Sequence, residues 1–230
     1  LSDLYKPLID IKTPILSTDL ESAELIKYAS NAFLATKVSF INEISLLCEK
    51  TGADVHKVAE GMGLDSRIGS KFLQVGPGYG GSCFPKDTQA LVRMAQENEA
   101  STRIVEAVIE VNASQKARMI SKIRGAIDGS ILDKKIGVLG LTFKAETDDM
   151  RDAPSLSILP ALLDKGANII AHDPEGIEEA KKLLPNSLQY GESIEEVVKD
   201  ADAIILMTEW IDYREMDLEL IKKMMKGDIF

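Results

Sequence analysis

The fold of the second half of the chain is decided by residues 135–141, KIGVLGL, a short apolar run of the kind that forms a buried strand. Two similar runs follow it, ANIIAHDP at 167–174 and ADAIILMT at 201–208. The intervening segments with helical composition are 154–165, 175–184 and 193–200. Apolar strands that alternate with helices are typical of parallel βαβ units. The pattern therefore predicts a Rossmann-like α/β domain with a doubly wound parallel sheet.

The sequence upstream of this α/β pattern is helical. Between Asp19 and Thr51 there is no Gly or Pro, and Gly52 supplies a stop signal. Thr18 followed by Glu21 fits a capping box, with Thr18 as the N-cap. We expect a helix of roughly 30 residues, far longer than the average of about 11–12. Such a helix usually bridges domains or forms a subunit contact, because one small domain cannot cover it.

These patterns predict a multidomain α and α/β chain. Residues 1–125 form a helical central domain with the long helix, and residues 126–230 form the Rossmann-like domain. Residues 1–17, which include two prolines, indicate an extended lead-in. The start at Leu1, without an initiator Met, favours a cut within a longer protein.

Charge and composition narrow the class of protein. The net charge is −10 and Lys and Arg form no cluster, so nucleic acid is not the expected partner. No apolar run approaches the ~20 residues that a membrane span requires. The two cysteines, Cys48 and Cys83, lack metal-ligand spacing, so we expect no metal site and a reduced, cytoplasmic protein.

The most informative loop is GPGYGGSCFPKD at 76–87. Its glycines allow the backbone to approach a ligand closely. Cys83 precedes a helix that opens at Pro85, next to Lys86, and reactive cysteines occur in such surroundings. A thiolate there attacks carbonyl carbon. The alternative is a glycine-rich turn around an inert, buried cysteine.

The long helix carries a second candidate pair. Lys27 and Asn31 are four residues apart and share one helix face. An ammonium and an amide that project together can stabilise a developing oxyanion. The alternative is an ordinary solvated face.

Three motifs in this order are similar to those of the UDP-glucose/GDP-mannose dehydrogenase family. GYGGSCFPKD at 78–87 resembles the active-site signature, and ELIKYASNAFL at 24–34 resembles the central helix. GLTFKAETDDMRDAP at 140–154 resembles the start of the C-terminal UDP-binding domain. SRIG at 66–69 most resembles the UDP-glucose branch of the family.

The resemblance implies an NAD-dependent, two-step oxidation of the C6 alcohol of UDP-glucose to UDP-glucuronate. Cys83 is then the nucleophile that forms a thiohemiacetal and a thioester. Lys27 and Asn31 correspond to residues that stabilise the charge on oxygen, and Asp87 to the acid near the hydrolytic water. The implied cofactor contacts are Lys86 and Arg151.

The same resemblance implies a substrate site and a partner. The implied substrate-binding residues are Lys27, Asn31, Arg67, Phe72, Gln74, Tyr79, Gly80, Phe143 and Lys144. Arg67 corresponds to an arginine that reaches the site of the neighbouring subunit, so a homodimer through the long central helix is expected. The nucleotide-sugar substrate is the other expected partner.

Departures from the family leave alternatives open. Gly137 and Gly140 do not form the G-x-G-x-x-G fingerprint of a dinucleotide site. The family's N-terminal NAD-binding domain is therefore expected to be absent, the C-terminal domain is expected to be truncated at its end, and the chain alone is expected to be inactive. GDP-mannose and UDP-N-acetylmannosamine are alternative substrates for the same chemistry. Two other classes are a cysteine hydrolase or acyl transferase using Cys83 with Lys27, and a non-catalytic dimerisation and nucleotide-binding module.

Overall fold

A computed structural model of the chain describes residues 4–127 and 129–230. The helices are α1 (Lys6–Asp10), α2 (Leu20–Thr51), α3 (Val55–Gly63), α4 (Phe84–Glu97), α5 (Arg103–Ala126), α6 (Ser155–Leu163), α7 (Ile177–Leu183), α8 (Ile194–Val198), α9 (Ile211–Arg214) and α10 (Leu218–Met224). The strands are β1 (Lys135–Leu139), β2 (Asn168–His172), β3 (Gln189–Tyr190) and β4 (Ala203–Leu206). Within the described residues, none of the helices has the length and apolarity that crossing a membrane requires.

The long helix α2 has one cap that differs from the prediction. Asp19, not Thr18, is the N-cap, and its carboxylate accepts from the backbone N–H of Ser22 at 2.7 Å. Thr18 donates to Asp19 instead. A carboxylate at the positive end of the helix is favoured over a hydroxyl, which explains the shift by one residue. The helix ends as predicted at Gly52, whose φ of 75° is in the left-handed region.

The lead-in is not wholly extended, because α1 occupies five of its residues. Pro7 lies in the first turn of α1, where its missing N–H interrupts no hydrogen bond. Residues 1–3 of the predicted lead-in lie outside the described part of the chain.

The helical half is built on α2, α4 and α5, which pack against one another. Its small apolar core consists of Ala35, Tyr79 and Val108, with Val38 and Phe84 packed against it. The loop between α3 and α4 lies over this core and contains the glycine-rich segment. The two helices α2 and α5 therefore act as a platform for that loop.

The second half contains the predicted parallel sheet, in the order β3-β2-β1-β4. Val138 of β1 pairs with Ala171 on one side and with Ile205 on the other. The three predicted strands are confirmed. The two-residue strand β3 was not predicted, and it pairs with β2 at the edge of the sheet.

Alternate residues of the central strands enter two separate cores. Ile136 and Val138 face the core that contains the buried side chains of α6, whereas Leu139 faces the core formed with α8, α9 and α10. A parallel sheet with both faces covered by helices is the doubly wound arrangement. The predicted fold class, a helical part followed by a Rossmann-like parallel-sheet part, is confirmed.

The two halves are joined through α5, which ends at Ala126. Met119, Ile120 and Ile123 on its last turns pack on the core of the sheet. The division between residues 125 and 126 stays a prediction. The loop after β1, residues 140–154, leaves the carboxyl edge of the sheet, where ligands of open α/β sheets bind.

Candidate active site

Cys83 occupies the N-cap position of α4 and is exposed. Its carbonyl oxygen accepts from the N–H of Asp87 at 2.8 Å, so the backbone of Cys83 is fixed by the first turn of the helix. Pro85 lies in that turn, where a proline favours helix initiation. The Ser82 hydroxyl oxygen lies 3.6 Å from Sγ. A thiol at this position faces solvent on a rigid backbone.

Asp87 gathers three of the predicted site residues around one buried carboxylate. The amide Nδ2 of Asn31 donates to its Oδ2 at 2.5 Å. The Lys86 Nζ lies 3.0 Å from Oδ1, and the Lys27 Nζ lies 3.7 Å from Oδ2. The Asp87 side chain is 3% exposed, whereas the Lys27 and Lys86 side chains are 62% and 72% exposed. The carboxylate is therefore inside, and the cations that it attracts face outward.

The charges of this cluster are mutually stabilised. Burial raises the pKa of Asp87, but the hydrogen bonds from Lys86 and Asn31 and the charges of Lys86 and Lys27 outweigh burial, so this pKa lies below its ordinary value. The hydrogen bond to Asp87 raises the pKa of Lys86, with a smaller contribution from nearby Cys83. The Asp87 carboxylate therefore holds Lys27, Asn31 and Lys86 together beside the helix start that carries Cys83.

The glycine loop before Cys83 is held by three amide side chains that the sequence analysis missed. Asn42 accepts from the N–H of Gly76 at 3.0 Å, and Gln115 donates to the Gly76 carbonyl at 2.8 Å. Asn112 accepts from the N–H of Tyr79 at 2.8 Å and donates to its carbonyl at 3.1 Å. We call Asn42, Asn112 and Gln115 the amide cradle. All three are buried.

The only sequence signal for the amide cradle is polar residues where a helix faces a core. Asn112 and Gln115 are three residues apart on α5, between Val108 and Met119, which pack inward. Buried amides satisfy backbone groups that a loop without secondary structure leaves unpaired. Their partners were not predictable, because they lie more than 30 positions away in the chain.

The next part of the loop docks on the α/β half. The N–H of Gly81 donates to the carbonyl of Arg151 at 2.7 Å. A Cβ on Gly80 would collide with the carbonyl oxygen of Asp152, and one on Gly81 would lie 2.7 Å from the Phe143 ring. Gly80 is required by close approach of the Asp152 backbone, and Gly81 by close approach of the Phe143 side chain. Phe143 is therefore brought to the Cys83 loop, and its contact with substrate stays a prediction.

Lys144 and Arg151 lie on the same side of the α/β half. The Nζ of Lys144 is 5.4 Å from the centroid of the Phe143 ring. Arg151 forms two hydrogen bonds with the carboxylate of Asp149, at 2.9 and 2.7 Å, and is exposed. The hydrogen bond to Asp149 raises the pKa of Arg151, and Cys83 adds a smaller attraction. Arg151 and Lys86 thus supply two exposed cations near Cys83.

The loop that carries Phe143 is anchored by Asp173, which follows β2. Its carboxyl group accepts from the N–H groups of Leu141 at 2.7 Å and Thr142 at 3.1 Å. Its other oxygen accepts from the N–H of Gly176 at 2.7 Å. Asp173 is 1% exposed. This anchor was also missed, although a buried Asp after a strand is a signal for it.

The remaining predicted site residues lie around the glycine loop and take different roles in the structure. Tyr79 is buried in the helical core, with its ring edge-on to Phe84. Phe72 has a φ of 64° and its ring centroid lies 5.9 Å from that of Phe84. Gln74 is exposed. Their contacts with substrate stay predictions.

Arg67 is not brought to the Cys83 cluster of its own chain. It lies after α3 and forms hydrogen bonds with Asp65 at 2.6 to 3.2 Å. The Arg67 side chain is 87% exposed, which leaves it accessible to a neighbouring molecule. Its predicted role in a neighbouring site stays a prediction.

Comparisons with known proteins found similarity in both halves of the chain. Residues 21–114 match the central domain of the UDP-glucose/GDP-mannose dehydrogenase family, and residues 137–230 match the UDP binding domain of that family. UDP-glucose 6-dehydrogenase of Rhizobium meliloti (strain 1021) is 50% identical over 226 residues, which are 98% of this chain and 52% of the relative. UDP-glucose 6-dehydrogenase YwqF of Bacillus subtilis (strain 168) is also 50% identical over 226 residues, 98% of this chain and 50% of the relative.

A solved structure of a related protein has the same fold. A UDP-glucose dehydrogenase from the hyperthermophilic archaeon Pyrobaculum islandicum superposes with a TM-score of 0.88 and 38% sequence identity. The similarity covers 94% of this chain and 49% of that chain. The chain spans about half the length of the curated relatives it matches.

Proposed function

The chain belongs to the UDP-glucose/GDP-mannose dehydrogenase family, and on this basis we propose that the protein that contains this chain oxidises UDP-glucose to UDP-glucuronate through a covalent bond to Cys83. One observation carries the proposal. An exposed cysteine begins a helix whose first turn contains a buried aspartate, and that aspartate holds Lys27, Asn31 and Lys86 in one cluster. A nucleophile with adjacent donors is the arrangement that acyl chemistry requires.

The proposed chemistry assigns each side chain one task. The first oxidation removes a hydride from C6 and the proton of its hydroxyl group, which gives the C6 aldehyde. The Cys83 thiolate then adds to the aldehyde carbon, a C–S bond forms, and the carbonyl electron pair moves onto oxygen. Lys27 and Asn31 donate to that oxygen. Loss of a hydride from C6 converts the thiohemiacetal into a thioester. Water then adds to the thioester carbon, the C–S bond breaks, and Cys83 leaves as thiolate. The sugar carboxylate is released, and the two protons of the water pass to solvent.

Asp87 is proposed to support these steps through the side chains that it binds. Because its pKa lies below the ordinary value, Asp87 stays ionised at neutral pH, and its hydrogen bond with Lys86 raises the pKa of that lysine beside Cys83. The Asp87 side chain is 3% exposed and binds the exposed ammonium groups of Lys27 and Lys86, and the water that hydrolyses the thioester is proposed to lie beside these groups. We propose that Asp87 orients that water through these partners.

The cofactor proposed for both oxidations is NAD, which accepts the hydride when it is bound. Lys86 and Arg151 fit such a group, because they are exposed cations on the two halves of the chain, next to the same thiol. Paired cations suit the diphosphate of a dinucleotide. The loop after β1 lacks a dinucleotide fingerprint, so we assign no further cofactor contacts to it and expect the chain alone to turn over no substrate.

The nucleotide sugar is proposed to lie between the glycine loop and the segment that contains Phe143 and Lys144. The amide cradle fixes the loop from one side, and the contact of Gly81 with Phe143 fixes it from the other. Gln74, exposed on the same loop, is available to the sugar or the base. A site made by two domains fits a two-part ligand, with a base and diphosphate at one end and a hexose at the other.

A second copy of the chain is the proposed partner of α2. Ile26, Phe33, Phe40 and Leu47 recur every seven residues, and their side chains are 47%, 65%, 45% and 58% exposed. Residues seven apart drift by only about 20° per repeat around a helix, so these four form one apolar stripe. A continuous exposed stripe of this kind marks an association surface.

We also propose a cytoplasmic location for the protein. The free thiols of Cys48 and Cys83 fit it, because thiols stay reduced in that compartment.

The dimer is tested by Phe33→Glu, which introduces a charge in the middle of the stripe. We expect the sedimentation coefficient to change from that of a dimer to that of a monomer at micromolar concentration. Glu24→Lys, an exposed charge change on the same helix, is the control. A Phe33→Glu protein that sediments like the unaltered protein would show that the stripe is covered by something other than a second copy.

The function is tested by following NADH formation in the intact gene product with UDP-glucose, GDP-mannose and UDP-N-acetylmannosamine. We expect two NADH per UDP-glucose, and loss of turnover in Cys83→Ser but not in Cys48→Ala, because Cys48 is buried in α2. Turnover of another nucleotide sugar instead would keep the chemistry and change the specificity. No NADH with any of them would leave a binding module, and a fully active Cys83→Ser protein would remove Cys83 from the chemistry.

A further inference from the structure

One face of α5 contacts both sides of the junction between the glycine loop and the α/β half. Asn112 and Gln115 hold the backbone of the glycine loop. Lys116, one turn after Asn112, instead donates from Nζ to the carbonyl oxygen of Asp152 at 3.1 Å. Adjacent positions on one helix therefore bind the loop before Cys83 and the segment against which that loop docks.

The Lys116 side chain reaches Asp152 by passing beside the glycine loop. A Cβ added to Gly78 would lie 3.2 Å from Cγ of Lys116, so the aliphatic part of the lysine packs against the loop. The residue is half-buried. Its methylene groups thus contact the first part of the junction while its ammonium group binds the second.

The carbonyl of Asp152 is the point at which these contacts converge. It accepts from Lys116, and it lies directly against Gly80. The preceding carbonyl, that of Arg151, accepts from the N–H of Gly81 at 2.7 Å. Asp152 has a φ of 51°, in the left-handed region that a non-glycine residue adopts only when its surroundings require it. The Lys116 hydrogen bond is one of the interactions that hold it there.

We propose that Lys116 is a positioning residue, which holds the backbone of Arg151 and Asp152 against the Cys83 loop and thereby sets the position of the nucleophile. The proposal deepens the function given above and rests on it only for the effect on turnover. Lys116 acts through the Gly81–Arg151 hydrogen bond, two residues before Cys83. A shift of about 1 Å at a reacting group is enough to lower a rate by as much as a hundredfold.

Burial of the Lys116 ammonium group opposes the stabilisation that its hydrogen bond provides. Burial lowers the pKa of Lys116, with a partly opposing effect of Asp152, so the folded state holds the protonated amine less well than water does. An apolar residue of the same length would avoid that desolvation. Replacement by methionine therefore separates positioning from stability, because only the first is expected to suffer.

The experiment compares Lys116→Met with Lys122→Met in the intact gene product. Lys122 lies on the same helix and forms an exposed ion pair with Glu49 at 2.8 Å, so its variant controls for loss of a surface contact. Amide hydrogen exchange is followed at Gly81, and kcat and Tm are measured. In Lys116→Met we expect Gly81 to exchange on the order of tenfold faster, kcat to fall on the order of tenfold, and Tm not to fall.

Lys116→Arg keeps a charged donor and is expected to restore most of the protection at Gly81 and most of the turnover. Unchanged exchange at Gly81 in Lys116→Met would overturn the proposal. Faster exchange throughout the chain with a lower Tm would also overturn it, because Lys116 would then be part of the general packing. Exchange requires no substrate, so faster exchange at Gly81 in a protein without dehydrogenase activity would contradict the proposed function and leave the positioning contact intact.

Discussion

Each half of the chain buries one aspartate beside the junction, and the two have different partners. Asp173, in the α/β half, accepts mainly from backbone N–H groups, including those of Leu141, Thr142 and Gly176, and also from the side chains of Thr142 and Trp210. Asp87, in the helical half, accepts from the side chains of Asn31 and Lys86. Both residues are at most 2% exposed. The two aspartates are therefore buried to a similar degree but have different structural roles.

The difference follows from what each aspartate has to hold. The loop after β1 leaves the sheet with unpaired N–H groups, which a buried acceptor satisfies at one point. The first turn of α4 already satisfies the backbone of Cys83, so the carboxylate of Asp87 is available for side chains from α2. The Asp173 arrangement fixes the main chain, and the Asp87 arrangement fixes the charges at a site.

The largest effect is expected when Asp173 is replaced by alanine, because several buried N–H groups then lose their acceptor. We expect the free energy of unfolding to fall by about 4 kcal/mol. Urea denaturation measures it, with Asp164→Ala as the control, since Asp164 is exposed at the end of α6. A loss below about 1 kcal/mol, as for a surface position, would show that the loop is held by other contacts.

Replacing Lys27 by methionine is expected to act on turnover and not on folding. The ammonium group is exposed and lies 3.7 Å from Asp87, so its ion pair contributes little to stability. As a donor to the developing oxyanion it is expected to contribute about 10²–10³-fold to kcat. Steady-state kinetics beside Lys50→Met, an exposed lysine near the end of the same helix, test this. Equal kcat values in the two variants would remove Lys27 from the chemistry.

The smallest of the three expected effects is the loss of stability in Asp87→Asn, and it depends on pH. The folded-state pKa of Asp87 is lowered, so its stabilising contribution is complete above the unfolded value of about 3.9 and is lost as the pH falls through the folded value. At pH 7 we expect the variant to lose about 1 kcal/mol. Urea denaturation from pH 7 down to about pH 3 should show the difference between the two proteins narrowing below about pH 4. A difference that stays constant would mean that Asp87 is held for its shape alone.

The sequence was sufficient for the parts of this molecule that depend on local pattern. The apolar runs of β1, β2 and β4 predicted the sheet, and the motif around Cys83 predicted the thiol at a helix start. Strand β3 was missed because two residues carry no alternation that could be recognised.

The site residues that the sequence analysis missed are defined by contacts that are distant in the chain. Asn42, Asn112 and Lys116 bind backbone atoms more than 30 positions away, and neither residue of such a contact shows a local pattern. Their identity as polar residues was visible, but the partners of Asn42 and Asn112 are set by how the glycine loop packs on α2 and α5, and that of Lys116 by how the two halves dock. The glycines at 80 and 81 were predicted to allow close approach, but not to the Rossmann-like half of the same chain.

The central claim is that Cys83 forms the covalent bond to the sugar. The most direct measurement is acid quenching of the intact gene product during turnover of UDP-glucose with NAD, followed by peptide mass analysis. The same is done for Asp87→Asn, in which thioester hydrolysis is expected to be slower. The account predicts a glucuronyl group on the peptide that contains Cys83 and none on the peptide that contains Cys48. Turnover with Cys83 unmodified in both proteins, or a sugar attached to another residue, would contradict it.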